Sequence, residues 1–287
     1  MSDSSRILVT GARGQLGRDV VLALEGAGRS VVGLDRAGLD IGEVTVVHEV
    51  MSELRPAAVV NCAAYTAVDA CETNVEHAHQ VNEHAVRTLA EACSTAGAHL
   101  VHISTDYVFD GMLDRAYRED DATNPQSVYG RSKLAGEAAV TDVLGDGGTI
   151  VRTSWVCGEH GSNMVKLVRR LASTGAPMSF VDDQRGCPTF TADLAPALVR
   201  LADERIGGVF HLTNAGAVSW YEFVGDILDA SGHDRSMVSP ISTDELDPPR
   251  PAPRPANSEL ANDRWAATGH SPLRHYREPL VELAARL

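Results

Sequence analysis

The chain of 287 residues lacks the long apolar segments and clustered basic residues that membrane and nucleic-acid binding usually require. No apolar run approaches the ~18 residues that span a bilayer. Because the net charge is −14 and no basic run is present, the protein should repel nucleic acids and anionic lipids. The first residues lead directly into a strand-like segment, which predicts a cytoplasmic protein without a signal peptide. These absences favour a globular protein that binds a small molecule.

Lysine is scarce, and the cysteines show no pairing pattern. Only two of the 25 basic residues are lysines, Lys133 and Lys166, so the chain almost always uses arginine where it needs a cation. A lysine that persists against this bias is a candidate for a role that requires an amine. The five cysteines are an odd number and include no C-x-x-C pair, which predicts idle thiols in a reducing cytosol.

Strand and helix patterns alternate along much of the chain. The predicted strands span residues 6–10, 30–34, 57–61, 99–104 and 149–152, and the longer predicted helices span 75–96, 127–143, 193–203 and 220–230. This alternation predicts an α/β fold with a Rossmann-type, doubly wound parallel sheet and a smaller C-terminal substrate-binding lobe. We expect residues 1–155 to bind NAD(P) and residues 156–287 to form mainly that lobe, with a return of the chain to the sheet left open.

A glycine-rich turn joins the first predicted strand to a helix. It reads Gly11-Ala12-Arg13-Gly14-Gln15-Leu16-Gly17. Glycines permit the turn, a close approach of the backbone to pyrophosphate and the packing of the helix on the sheet, while the helix N-terminus offers N–H groups to phosphate. The turn predicts a nicotinamide dinucleotide site, although glycine-rich turns of other α/β proteins look similar.

Charged residues near this turn bear on the choice of cofactor. Asp35 ends the second predicted strand, where a carboxylate can hold the ribose 2′-hydroxyl of NAD(H). Arg13 and Arg36 can each meet the 2′-phosphate of NADP(H), or each can be a solvated loop charge. We predict a preference for NADPH, with NADH remaining usable.

Tyr129 and Lys133 stand four residues apart in a predicted helix, which puts them on one face, one turn apart. A nearby ammonium should lower the pKa of Tyr129 and make it a usable acid or base near neutrality. Thr105 follows the fourth predicted strand, where its hydroxyl can bind a substrate carbonyl beside Tyr129 or cap a turn. These three residues form the predicted catalytic set.

Blocks of sequence spread over nearly the whole chain carry a resemblance. The most specific is residues 104–111, Ser-Thr-Asp-Tyr-Val-Phe-Asp-Gly. The others are the turn at 11–17 and residues 61–69, 81–82, 129–137, 152–156, 183–189 and 254–260. Together they resemble the extended short-chain dehydrogenase/reductase superfamily and, within it, the dTDP-4-dehydrorhamnose reductase family.

The resemblance implies reduction of the C4 ketone of dTDP-4-dehydro-L-rhamnose to dTDP-L-rhamnose by NAD(P)H. Tyr129 would donate the proton, Lys133 would assist it and hold the nicotinamide ribose, and Thr105 would bind the carbonyl oxygen. The cofactor site would be lined by Gly14, Gln15 and Leu16 of the glycine-rich turn and by Asp40, Ile41, Ala63, Ala64 and Tyr65. Asp106, Trp155 and Arg254 would contact the sugar nucleotide, with Arg254 at its pyrophosphate; core packing is the alternative for Trp155.

Other interpretations remain open at this point. A reductase of another dTDP-4-keto-6-deoxyhexose has the same features, and a non-catalytic NADP-binding regulatory subunit, like that of methionine adenosyltransferase, shares the architecture. Related dehydratases carry Asp-Glu after the threonine, with the glutamate as base, whereas this chain has Asp106-Tyr107, which favours simple reduction.

The resemblance also raises the question of a metal. Some relatives join a homodimer through Mg²⁺ held by glutamates. The positions that match two of those glutamates carry the shorter Asp19 and Asp193. No metal site is therefore predicted, and a homodimer is left open.

Overall fold

A six-stranded parallel sheet forms the centre of the computed structural model, which describes residues 6–287. Its strands are β1 (Ile7–Thr10), β2 (Val31–Leu34), β3 (Ala58–Asn61), β4 (His99–Thr105), β5 (Gly148–Thr153) and β10 (Gly208–His211). Their order, β10-β5-β4-β3-β1-β2, confirms the predicted doubly wound sheet. The expectation about a signal peptide concerns residues 1–5, which lie outside the described part of the chain.

Helices cover both faces of this sheet. They are α1 (Gln15–Gly26), α2 (Val44–Leu54), α3 (Val68–Cys71), α4 (Val75–His79), α5 (Ala85–Ala96), α6 (Val128–Leu144), α7 (Met164–Ala172), α8 (Thr191–Glu204), α9 (Trp220–Ala230), α10 (Asp263–Ala267) and α11 (Arg277–Arg286). Helices α1 and α8 bury apolar side chains on one face, and α2, α5 and α6 do so on the other. Within residues 6–287, no helix has the length and hydrophobicity that a bilayer span requires.

The predicted helix over residues 75–96 contains one wide turn. Between α4 and α5, residues Gln80–His84 form a π-helical turn, a feature that often marks a functional position. This turn buries Asn82, whose amide accepts a hydrogen bond from the Tyr65 N–H at 2.9 Å and donates one to Ser132 Oγ at 3.0 Å. The turn thereby fixes the loop after β3 against helix α6.

The C-terminal half of the chain builds a separate lobe and also returns to the main sheet. Three small pairings occur in this half: β6 (Val156–Cys157) with β9 (Thr189–Phe190), β7 (Met178–Val181) with β12 (Val238–Ile241), and β8 (Arg185–Gly186) with β11 (Val218–Ser219). Helices α7, α9 and α11 share a second core with these short strands. Strand β10 and helix α8 instead join the main sheet. A domain boundary at residue 155 stays a prediction.

Candidate active site

The glycine-rich turn leaves open the space that side chains would otherwise fill. Gly11 has φ of +62°, and a Cβ there would lie 2.8 Å from the backbone nitrogen of Ala63. A Cβ on Gly17 would lie 2.3 Å from the carbonyl oxygen of Gly11, so this glycine lets α1 pack against the turn. Helix α1 begins after Gly14, which has no side chain to cap it. The first N–H groups of α1 thus form a cradle suited to phosphate.

A cavity of about 350 Å³ extends from this turn across the ends of β1, β2 and β3. The predicted cofactor residues that line it are Gly11, Arg13, Gly14, Asp35, Arg36, Asp40, Ile41, Ala63, Ala64 and Tyr65. At its rim, Arg13 Nε lies 3.0 Å from Asp35, and Arg36 Nε lies 2.9 Å from Asp40. Both arginines are therefore paired with carboxylates beside the position expected for the adenosine ribose.

A second cavity of about 490 Å³ adjoins the first, and Gly14, Ala63 and Ala64 line both. It also brings together seven of the predicted site residues: Gln15, Leu16, Thr105, Asp106, Tyr129, Lys133 and Trp155. Gly17 lines neither cavity, because its place is in the contact between α1 and the turn. We call this second cavity the cleft.

Tyr129 reaches Thr105 because the start of α6 packs tightly against the turn that follows β4. Ser127 caps α6 by accepting a hydrogen bond from the Gly130 N–H at 3.1 Å. A Cβ on Gly130 would lie only 2.2 Å from the carbonyl oxygen of Tyr107, so glycine is needed for this contact. Thr105 Oγ1 accepts from the Tyr107 N–H at 3.2 Å and donates to Asp106 Oδ1 at 2.9 Å.

Lys133 lies deep in the cleft and is only 2% exposed. Its Nζ donates to the carbonyl oxygen of Ile103 at 2.7 Å and lies 3.2 Å from His102 Nε2. Burial lowers the pKa of Lys133 to about 8, while Glu137 and Cys62 oppose this shift. His102 was not among the predicted site residues, because nothing in the local sequence indicates its contact with Lys133.

The pKa of Tyr129 differs from the sequence-based expectation. Burial raises it well above its usual value, and the hydrogen bond with the Thr105 hydroxyl only partly opposes that rise. Lys133 does not lower it, because the Lys133 amine is directed at Ile103 and His102. Tyr129 is therefore a neutral phenol across the physiological range, which is the form that a proton donor needs.

Two buried polar atoms in the cleft lack hydrogen-bond partners within residues 6–287. They are Asp106 Oδ2 and Thr153 Oγ1. Burial also raises the pKa of Asp106 to about 6. Because unpaired buried polar groups are costly, such groups in a cleft are suited to bind a polar ligand. Thr153 was not predicted from the sequence, although it lies in a block that carried the resemblance.

Trp155 forms one wall of the cleft and also packs against the C-terminal lobe. Its ring stacks on Trp220 with centroids 3.5 Å apart and planes 8° from parallel. The backbone of Trp155 has φ of +46°, which a residue other than glycine adopts only at a cost. A Cβ on Gly186 would lie 2.6 Å from the Trp155 ring. Trp155 thus lines the cleft and packs against the lobe at once, and Trp220 is a second aromatic lining residue that was missed.

Arg254 does not line the cleft. It forms a two-pronged ion pair with Asp69 of α3, at 2.7 and 2.8 Å. It lines a smaller cavity of about 300 Å³ together with Arg250. Tyr107 lines the cleft, and burial raises its pKa to about 12, a rise that Arg254 and Arg250 oppose.

The side chains at the two positions matched to metal-binding glutamates do not fit a shared divalent cation. The Asp193 carboxylate forms an ion pair with Arg274 at 3.0 Å and accepts a hydrogen bond from the Asn214 amide at 2.7 Å. Asp19 lies 3.7 Å from His160. In the part of the chain that the structure describes, no group of three or more His, Cys, Asp or Glu side chains is arranged to hold a metal ion.

Comparisons with known proteins find relatives over nearly the whole chain. Residues 5–287 match the family described as the RmlD substrate binding domain. A dTDP-4-dehydrorhamnose reductase of Streptomyces griseus is 45% identical over 282 residues, with 96% of this chain and 92% of the relative covered. A dTDP-4-keto-6-deoxy-D-glucose reductase of Streptomyces niveus is 42% identical over 279 residues, covering 97% and 96%.

Solved structures show the same relationship. A dTDP-4-dehydrorhamnose reductase from Bacillus anthracis in complex with NADP superposes with a TM-score of 0.94 at 35% identity, covering 99% of this chain and 100% of the other. One from Clostridium acetobutylicum superposes with a TM-score of 0.93 at 41% identity, covering 98% and 99%. The resemblance is confirmed, and the chain belongs to the family of dTDP-4-keto sugar reductases that includes the dTDP-4-dehydrorhamnose reductases.

Proposed function

We propose that this protein reduces the C4 ketone of dTDP-4-dehydro-L-rhamnose to dTDP-L-rhamnose, with NADPH as the preferred hydride donor. The observation that carries the proposal is the meeting of Tyr129, Thr105 and Lys133 in a cleft that shares lining residues with the cavity at the glycine-rich turn. A dinucleotide that spans both cavities would bring its nicotinamide beside these three side chains. The complex of the Bacillus anthracis relative with NADP supports the same cofactor here.

The residues of the first cavity fit the dinucleotide. The N-terminus of α1 would hold the pyrophosphate, and Asp35, Arg13 and Arg36 would surround the adenosine ribose. Arg36 would meet a 2′-phosphate by leaving Asp40, whereas Asp35 would accept from a 2′-hydroxyl. Lys133 would hold the nicotinamide ribose, and the bound reduced nicotinamide supplies the hydride.

Three side chains would handle the carbonyl oxygen and its proton. The Thr105 hydroxyl lines the cleft together with Tyr129, and it can hold the oxygen by turning its proton from Asp106 Oδ1. Tyr129 remains protonated until negative charge develops on that oxygen, and then donates its proton. A protonated Lys133 would stabilise the resulting tyrosinate by turning its Nζ from the Ile103 carbonyl oxygen toward the phenol.

The other walls of the cleft suit a sugar nucleotide. Asp106 Oδ2 can accept a hydrogen bond from a sugar hydroxyl, and Thr153 Oγ1 can donate or accept one. Trp155 offers a broad apolar face to a sugar ring. For Arg254 to bind the pyrophosphate, that anion would replace Asp69 as its partner. Most of these residues lie in the first 155, and the smaller lobe would close the cleft.

A reductase of another dTDP-4-keto-6-deoxyhexose is the second candidate, because the Streptomyces niveus relative is nearly as similar as the Streptomyces griseus one. The two reactions share the catalytic side chains and differ in the sugar. An intact set of Tyr129, Lys133 and Thr105 disfavours a non-catalytic regulatory subunit.

The test is NADPH oxidation by the purified protein with dTDP-4-dehydro-L-rhamnose and, in parallel, with other dTDP-4-keto-6-deoxyhexoses. We expect the highest kcat/KM with the first substrate and a product identified as dTDP-L-rhamnose by NMR. Tyr129→Phe is the matched control, which should bind NADPH but turn over roughly 10²-fold more slowly or worse. Binding of the sugar nucleotides without any cofactor oxidation would overturn the proposal, and preference for another sugar would favour the second candidate.

A further inference from the structure

A chain of buried hydrogen bonds leads from β1 to Lys133, and its first link fixes the direction of the rest. The backbone N–H of Ala63 lies 3.2 Å from Asn61 Oδ1, and the Thr10 hydroxyl donates to the same oxygen at 2.6 Å. A backbone N–H can only donate, so the Asn61 atom facing it must be the carbonyl oxygen. The NH₂ group of Asn61 therefore faces His102 Nδ1, at 3.0 Å.

This direction fixes the tautomer of His102. The Asn61 NH₂ group can only donate, so His102 Nδ1 must accept. Burial lowers the pKa of His102 well below its usual value, and a positive charge on Lys133 would lower it further. The ring is therefore a neutral imidazole with its single proton on Nε2. That nitrogen lies 3.2 Å from Lys133 Nζ.

The N–H of His102 thus points at a group that already donates elsewhere. Lys133 Nζ donates to the carbonyl oxygen of Ile103 at 2.7 Å. An ammonium has three N–H donors and no acceptor, so it cannot accept a hydrogen bond from His102 Nε2–H. A neutral amine has a lone pair that can accept this hydrogen bond. We propose that His102 is a positioning residue that fixes Lys133 through Nε2–H and favours its neutral amine in the ligand-free protein.

The other groups around Lys133 act in the opposite direction or are already engaged. Glu137 on α6 and Cys62 after β3 both favour the ammonium. The Glu137 carboxylate, however, pairs with Arg152 at 2.7 Å and accepts from the Ser104 hydroxyl. Burial raises the pKa of Cys62 to about 12, so this thiol carries no charge near neutrality. The Lys133 pKa of about 8 is consistent with the amine being accessible near neutral pH.

This inference rests on the proposed function, in which Lys133 is the partner of Tyr129. A tyrosinate needs a cation beside it, so the amine form of Lys133 must take up a proton before the tyrosine gives up its own. His102 would then set the pH above which this partner is lost. The direction of the His102 N–H also explains why a lysine, and not an arginine, occupies position 133. A guanidinium stays charged and has no lone pair to accept a hydrogen bond from this N–H.

The scarcity of lysine makes the test direct. Protein labelled with ¹⁵N-lysine carries only two labelled side chains, Lys133 and Lys166. The ¹⁵Nζ chemical shift distinguishes an amine from an ammonium and can be followed by NMR against pH without substrate or cofactor. Lys166 is an internal reference, since it does not line the cleft and its Nζ donates to the carbonyl oxygens of Glu159 and Gly161.

Two substitutions at His102 test whether the Nε2–H donor is needed, because one keeps a donor at that position and the other does not. In His102→Gln an amide NH₂ takes the place of Nε2–H, and in His102→Asn the shorter amide reaches only the Nδ1 position. We expect Lys133 to titrate near pH 8 in the wild type and within about half a unit of that in His102→Gln. In His102→Asn its midpoint should rise by about one unit, because the donor to the amine is gone.

The outcomes are decisive without any activity measurement. A wild-type Lys133 that remains an ammonium up to the ordinary lysine pKa of 10.5 would overturn the inference, even if the protein reduces the sugar nucleotide. Equal midpoints in His102→Gln and His102→Asn would assign the shift to burial alone. A failure of the reductase assay with the expected titrations would reject the proposed function and leave the role of His102 standing.

Discussion

Replacing Lys133 with arginine keeps the positive charge but changes the shape of the group that carries it. Lys133 is 2% exposed, and its Nζ lies 2.7 Å from the Ile103 carbonyl oxygen and 3.2 Å from His102 Nε2. Both partners belong to β4, which is hydrogen-bonded to strands on either side. Neither can retreat from a wider, planar guanidinium, so the new group has to sit elsewhere in the cleft.

The expected effect follows from that displacement. A misplacement of about 1 Å in a reacting geometry can cost roughly 10²-fold in rate, and losing an acid–base contribution costs roughly 10²–10⁴-fold. We therefore expect kcat/KM of Lys133→Arg to fall at least about tenfold. Overpacking of a buried site costs roughly 1–3 kcal/mol. The variant should remain folded with a Tm lower by a few degrees.

The assay combines NADPH oxidation with a thermal melt followed by circular dichroism. Lys166→Arg is the matched control, because it makes the same exchange at the one other lysine, whose Nζ binds carbonyl oxygens away from the cleft. It should keep wild-type kcat/KM. Near wild-type turnover in Lys133→Arg would refute the reasoning and show that charge alone suffices at this position.

Three further substitutions test the cofactor site, the cleft wall and the buried carboxylate. Arg36→Ala should raise KM for NADPH more than for NADH, and equal effects in steady-state assays would remove Arg36 from the 2′-phosphate site. Trp155→Ala should weaken sugar-nucleotide binding in calorimetry while NADPH still binds, whereas loss of both would indicate a purely structural role in the stack with Trp220. Asp106→Asn should raise the free energy of unfolding at pH 8 by up to about 3 kcal/mol and much less at pH 4. The folded-state pKa of Asp106, about 6, lies above the ordinary 3.8, so ionisation of Asp106 destabilises the folded protein increasingly as the pH rises between those values. Equal stability of the variant and the wild type in urea melts at pH 8 would contradict this.

The features that the sequence predicted well are those determined by neighbouring residues. The turn from Gly11 to Gly17 needs particular residues at fixed spacing, and the four-residue step from Tyr129 to Lys133 follows from helix geometry. The strand patterns were also local, since fully buried parallel strands are short apolar runs. The predicted edges of these strands differ from the observed ones by a residue or so, as fraying ends allow.

The features that the sequence did not predict depend on contacts between distant segments. The sequence left open a return of the chain to the main sheet, and β10 makes it from a segment more than fifty residues beyond β5. The stack of Trp155 on Trp220 likewise joins residues far apart in the chain. Helix α2 is an exception, because its pattern is local and it was missed. Periodicity gives the buried face of each element, but it does not say which other element covers that face.

The pKa of Tyr129 shows why spacing alone misjudges electrostatics. A lysine one turn away predicts a lowered pKa, yet burial raises it, because the Lys133 amine is bound to β4 instead of the phenol. Thr105 is a related case, since capping a turn and binding a substrate carbonyl were weighed as alternatives. The structure shows the cap, and the same hydroxyl donates to Asp106 and lines the cleft. The side chains of this cleft are thus oriented by hydrogen bonds to the backbone and to neighbouring side chains. The donors and acceptors that stay available after these bonds determine the chemistry that each side chain can perform.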